Sequence, residues 1–141
     1  MYRNRNPMKS PENGKTFIFN KELDSENLQA LYGDDYAYIE EVFSTVLNEY
    51  GQLSNNILSC YAARNIPALK AAVHKIKPIF GFVGLTRIQQ QCQEFEYVCQ
   101  ESSDMERIDP DYGALKDALI WSKSLIEEEK AKLEIFNRQH S

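Results

Sequence analysis

From Ile39 to Tyr61 an apolar side chain returns every three or four positions: Ile39, Val42, Phe43, Val46, Leu47, Tyr50, Leu53, Ile57, Leu58 and Tyr61. That spacing follows the 3.6-residue turn, so it gathers these residues on one face of a long helix, and the face must be covered by something. Gly51 weakens the helix without ending it. The same period returns three more times, at Leu69, Ala72, Val73, Ile76, Ile79, Phe80 and Val83, at Ile88, Cys92, Phe95 and Cys99, and at Leu115, Leu119, Ser122, Ile126, Leu133 and Phe136. Two-residue alternation is confined to Phe17 to Phe19. Four amphipathic helices joined by short connections bury one another's stripes, which predicts an all-α chain folded as an antiparallel four-helix bundle of up-down-up-down topology.

The boundaries follow from capping chemistry. Asp24 is placed to cap a short leading helix whose Leu28, Leu31 and Tyr32 face inward and which Gly33 ends. Asp34 and Asp35 suit the start of the second helix. Pro67 fits the first turn of the third, which bears His74 and stops near Gly84. Thr86 with Gln89 has the spacing of a capping box opening the fourth helix. After the polar stretch "ESSDMERIDPDYG", Asp109 and Pro110 read as the cap and first-turn proline of the last helix. Residues 1–16 are polar, with Pro7, Pro11 and Gly14, and are expected to form a flexible tail; residues 17–141 are expected to form a single domain, with "TFIFN" packing on the body or beginning a short strand.

At 141 residues the chain has the length of one domain, and 43% hydrophobic content is enough to build a core. It has no run of eighteen apolar residues, and "MYRNRNPMKSPENGK" lacks the apolar centre of a secretory signal, so a cytoplasmic protein without a membrane segment is expected. Cys60, Cys92 and Cys99 have no C-x-x-C spacing and no second nearby histidine, which points to buried reduced thiols rather than a zinc site. The net charge of -5 argues against nucleic acid as the main partner.

The charge is unevenly spread. Between Gly51 and Gln93 there is no aspartate or glutamate, while Arg64, Lys70, Lys75, Lys77 and Arg87 are all basic. His74 lies in this stretch, on the helix side opposite the apolar stripe, with Lys70 and Ala71 one turn before it, Lys77 and Pro78 one turn after and Gly81 two turns after. An imidazole in water, with ammonium groups beside it and little side-chain bulk in front, makes a face on which an acidic or phosphorylated partner can dock. A nucleophilic imidazole that becomes a phosphohistidine needs those features: exposure, a neutral nitrogen free to attack and cations to hold the phosphoryl oxygens. No carboxylate within the acid-free stretch can orient His74 for Ser-His-Asp chemistry, although one could arrive from another helix. No G-x-x-x-x-G-K-[ST] loop is present, so no ATP site is evident and the phosphoryl group must come from a partner. His140, at the C-terminus, is expected to be an unstructured surface residue.

The motif "HKIKPIFGFVG" resembles that of the histidine-containing phosphotransfer (HPt) domains of multistep phosphorelays, and "LYGDDYAYIEEVFSTVLNEY" resembles their second helix; the resemblance covers about residues 20 to 102. It implies that His74 is the phosphoacceptor, Lys77 steadies the phosphoryl group, Gly81 gives access and Val83-Gly84 closes the motif. It further implies partners in the receiver domains of a hybrid histidine kinase and a response regulator, docking around Lys70, Lys75, Pro78 and Gly84. No cofactor of its own is implied, any Mg2+ belonging to the receiver, and the chain is expected to act as a monomer and carry no kinase activity. Pro78 stands where the family usually has glycine, which predicts a kink near the active face, since proline lacks the N–H that would reach the His74 carbonyl. The reading that competes with phosphotransfer is a helical adaptor or inhibitor that docks receiver or kinase domains without being phosphorylated.

Overall fold

A computed structural model describes residues 15–140. The tail expected over residues 1–16 lies, up to residue 14, outside the described residues. Five helices follow in order: α1 (Ser25–Tyr32), α2 (Tyr36–Ala62), α3 (Ile66–Phe82), α4 (Thr86–Glu101) and α5 (Met105–Gln139). No strand occurs among the described residues. α2 packs on α3 and α5, and α4 packs on the same two helices, so the four long elements enclose one core. Phe43, Tyr50, Phe80, Ile57, Ile76, Leu115 and Ile126 fill it without measurable contact with solvent, or nearly so. Burying a side chain of this size stabilises the fold by roughly 1.5–3 kcal/mol, and the periodic stripes of the sequence are buried or half-buried except at Leu58, which is exposed near the end of α2. Leu31 is a correction: expected inward, it is exposed, because the short α1 faces the body with Leu28, which is buried, and with Asn27 and Tyr32, which donate to Gly81 O and Phe82 O.

The caps are partly those expected. Asp24 accepts a hydrogen bond from Asn27 N at 3.0 Å, Asp35 from Tyr38 N at 3.1 Å and Asn65 from Ala68 N at 3.1 Å. The capping box at Thr86 and Gln89 does not form, because Leu85 occupies the cap position and the Thr86 hydroxyl turns back to donate to Asp24 Oδ2 at 3.3 Å. α5 also begins earlier than Asp109: Asp104 caps it by accepting from Glu106 N at 3.0 Å, and the polar loop shrinks to Ser102–Asp104. Pro110 therefore lies inside the helix, and Asp109 takes the hydroxyl of Tyr61 as a partner.

Both turns flanking α3 use the same device. Leu85 N donates to Phe80 O at 2.8 Å and Gly84 N to Gly81 O at 3.3 Å, with Gly84 at φ 77°. This six-to-one and five-to-two pattern needs a left-handed residue after the helix cap, which glycine supplies without steric cost. At the other turn Asn65 N reaches Cys60 O at 3.2 Å, and Arg64 takes the left-handed position at φ 56°. The connections are thus tight on both sides of α3, which fixes how it lies against α2 and α4.

Residues 15–20 are extended and pack on the body rather than pairing as a strand. The Phe17 ring lies 5.5 Å from that of Phe136 and 6.0 Å from that of Tyr36, and Asn20 N donates to the buried carboxylate of Glu129 at 3.0 Å. His140 is not unstructured either, since it follows α5 directly and its ring lies 4.5 Å from that of Phe136.

Candidate functional site

α3 and α4 run antiparallel, and their facing polar side chains meet rung by rung. Lys70 donates to Gln100 Oε1 at 2.9 Å, His74 Nδ1 meets Glu96 Oε1 at 2.9 Å, and Lys77 donates to Gln93 Oε1 at 2.6 Å. At the last rung a Cβ on Gly81 would lie 2.9 Å from Gln89 Nε2. On α3 these positions are one turn apart, as they are on α4, so the ladder is the direct product of helical period and the short Val83–Leu85 connection. The apolar residues Ile88, Cys92, Phe95 and Cys99 sit one step round α4 and anchor it to the core.

His74 holds its ring in solvent, with 69% of the side chain exposed, whereas the Glu96 side chain is only 8% exposed. A carboxylate offers only acceptors, so Nδ1 carries the hydrogen that Glu96 accepts, and Nε2 makes no hydrogen bond to the protein among the described residues. The second oxygen of Glu96 forms an ion pair with Lys77 Nζ at 2.8 Å. One buried carboxylate thus fixes both the imidazole and the ammonium, and that pairing is what makes its burial tolerable. The Lys77 side chain is 18% exposed; its ammonium donates to Gln93 Oε1 and pairs with the Glu96 carboxylate.

Beneath the site, burial pushes the Cys92 thiol up to about 12, with the neighbouring Glu96 carboxylate adding to the effect and Lys77 opposing it. Burial likewise raises the Cys99 thiol to about 11, with Lys70 opposing the rise. Both thiols stay protonated near neutral pH, and neither is a nucleophile there.

The sequence-derived site residues are brought together in part. His74, Lys77 and Gly81 share one face, with Pro78 exposed beside them. Gly81 is half-buried under the flexible end of Gln89 rather than open. α3 continues through Pro78 as one element to Phe82. The basic residues do not form a single patch. Lys70 lies on the α4 side, Lys75 lines a groove with Glu49, Gln52, Asn56 and Ser59 of α2, Arg64 sits in the turn before α3, and Arg87 lies 3.8 Å from Glu22. Gly84, placed at the partner surface from the motif, is buried: a Cβ there would lie 3.0 Å from Leu28, and its carbonyl accepts from Asp24 N at 2.7 Å. Its work is to end α3 and admit α1, not to meet another molecule.

Sequence reasoning missed Glu96, Gln93, Gln89 and Gln100. Their signal is a polar stripe at spacings of four, three and four along α4, immediately beside its apolar one. Among the described residues no group of three or more metal-ligating side chains occurs, and no helix is long and apolar enough to cross a membrane.

Comparison with known families matches the Hpt domain over residues 37–121, more than half of the chain. The match starts at the beginning of α2, beyond α1, and runs into α5, for which the sequence offered no motif. Neither the curated proteins nor the solved structures gave a match. With a solvent-facing imidazole on α3 and a family match that spans it, the chain belongs to the Hpt domain family, whose members carry phosphoryl groups on histidine in phosphorelays.

Proposed function

We propose that this chain is a phosphotransfer intermediate that accepts a phosphoryl group from a receiver-domain phosphoaspartate on His74 and passes it to a second receiver. The observation that carries this reading is the Glu96–His74 contact, which holds an exposed imidazole by Nδ1 and leaves Nε2 for an incoming group. The Nε2 lone pair forms the N–P bond while the P–O bond to the aspartate breaks, and the aspartate carboxylate leaves with the bonding pair. The ring, now phosphorylated on Nε2 and still protonated on Nδ1, bears positive charge, which Glu96 offsets through the Nδ1 proton. Lys77 steadies the phosphoryl oxygens. Return to aspartate reverses each bond change.

On this reading the four long helices form an up-down-up-down bundle within a single domain from residue 17 to 141, preceded by a short leading helix. The protein acts in the cytoplasm as a monomer, needs no cofactor of its own, and leaves any Mg2+ to the receiver. Gly81 and Pro78 keep bulk away from His74, while Lys70 attracts the acidic receiver face; Lys75, across the α2 groove, adds long-range attraction only.

The test is phosphorylation by a phosphorylated receiver. Acid-labile, base-stable label should appear on the wild type and vanish in His74→Gln with the helical content unchanged. Binding to receivers without any label would favour the adaptor reading instead, and label on His140 would refute the assignment.

A further inference from the structure

Lys77 does not stand alone beside His74. Its ammonium is held at 2.6 Å by the side-chain oxygen of Gln93, one turn along α4 from Glu96. Because an ammonium can only donate, Oε1 must be the Gln93 atom that faces it, and the amide NH2 is turned the other way. Gln93 is exposed, and among the described residues its side chain makes one hydrogen bond, accepting from Lys77, so its NH2 is not engaged by the protein. The parallel rung, Lys70 with Gln100, has the same chemistry but shares no carboxylate with His74. Lys77 does, through Glu96.

We propose that Gln93 is a phosphoryl-binding residue: its NH2, oriented by Lys77, donates to the phosphoryl oxygens on His74 together with that lysine. This rests on the reading of His74 as phosphoacceptor. It adds a neutral donor that draws no charge away from Glu96, so the pair can take up an arriving dianion without breaking the Glu96 contacts. A second lysine at this position would compete for the same carboxylate.

Phosphoramidate serves as the probe, since it needs no receiver: His74 Nε2 forms the N–P bond as the P–N bond of phosphoramidate breaks and ammonia departs with the pair. Gln93→Met removes both the acceptor and the donors, Gln93→Glu keeps an acceptor for Lys77 but has no donor, and Gln100→Glu adds the same charge on the rung that lacks the shared carboxylate. A role limited to holding Lys77 predicts that glutamate restores what methionine loses. The proposal predicts that it does not, with His74 labelling slowed about tenfold or more, as expected for losing a charge-assisted hydrogen bond. Gln100→Glu should label close to the wild-type rate. The deficit of Gln93→Glu should persist at high salt, where a mere through-solvent charge effect would fade. In the wild type the Gln93 side-chain NH2 signals should move downfield in 1H–15N spectra on phosphorylation. Normal labelling of Gln93→Glu, or unmoved amide signals on a labelled wild type, would overturn the proposal while leaving His74 as phosphoacceptor. No label on the wild type would remove the reading on which it rests.

Discussion

Glu96 reaches across from α4 to hold His74 by Nδ1 at 2.9 Å, although no acidic residue lies within nineteen positions of that histidine on the N-terminal or C-terminal side. The imidazole and the carboxylate that fixes its Nδ1 are thus on different helices, and their meeting depends on how the helices pair.

The first consequence concerns Glu96 itself. Glu96→Gln keeps a hydrogen-bonding oxygen for the ring but loses the charge that holds Lys77 and offsets the phosphorylated imidazole. Transfer from a phosphorylated receiver should slow by about tenfold, the lower end expected for a hydrogen bond to a charged group. Glu96→Ala should slow it further, because the ring is then free to take either tautomer. Stopped-flow or quench transfer kinetics, with circular dichroism as the check on folding, decide this; unchanged rates in both variants would remove Glu96 from the mechanism.

Two glycines only three positions apart should behave in opposite ways. At Gly81 an added Cβ meets the movable end of Gln89, and alanine or glutamine is the better helix former by up to about 1 kcal/mol. Gly81→Ala should therefore keep both stability and transfer, whereas Gly81→Gln should keep stability and lose transfer by crowding the approach to His74. At Gly84 the φ of 77° and the Leu28 side chain at 3.0 Å leave no easy escape. Gly84→Ala should lower stability by roughly 1–3 kcal/mol through backbone strain and overpacking. Chemical denaturation read alongside transfer kinetics separates the two.

Pro78 costs α3 the hydrogen bond that would run to the His74 carbonyl. Pro78→Ala should stabilise the protein by about 2 kcal/mol, the roughly 3 kcal/mol of a helix-interior proline less about 1 kcal/mol for the greater freedom of the unfolded chain. Denaturant midpoints measure it, and a destabilised variant would show that the helix has fully adapted to proline.

The buried thiols set an alkaline limit. In the unfolded chain Cys92 and Cys99 lose their protons near 9, but in the folded state they hold them to about 12 and about 11. The unfolded state therefore binds fewer protons than the native state between those values, and stability falls as pH rises through that window. Below pH 9 the contribution is fully present. Urea unfolding from pH 7 to 11 should show a plateau and then a decline, and Cys92→Ala should make the decline shallower by one proton. Iodoacetamide at pH 8 should modify Cys60, which is partly exposed, well before the other two.

Much of this was legible in the sequence because burial follows period. Ile76, Phe80, Cys92 and Phe95 could be placed on inner faces from spacing alone, and His74 could be placed outside them. Glu96 could not, because its role depends on the register between two helices, and register is set by a turn rather than by either helix. Capping failed where a distant group competed: Thr86 had the right spacing for a box, yet its hydroxyl found Asp24, and Pro110 was read as a first-turn residue although α5 had begun one and a half turns earlier. Gly84 was misplaced for a related reason. A motif records which residue stands at a position, and both a docking surface and a left-handed turn can call for glycine.

The connection Val83–Leu85 acts as a length gauge for the chemistry. Adding one residue there would turn α4 by about 100° about its own axis, swinging Glu96 and the three glutamines away from α3 together while the apolar stripe sought new neighbours. No single rung could be retuned by such a change. Variation in partner preference is therefore confined to side chains on the outer faces, and the spacing between the two helices can be inherited only whole.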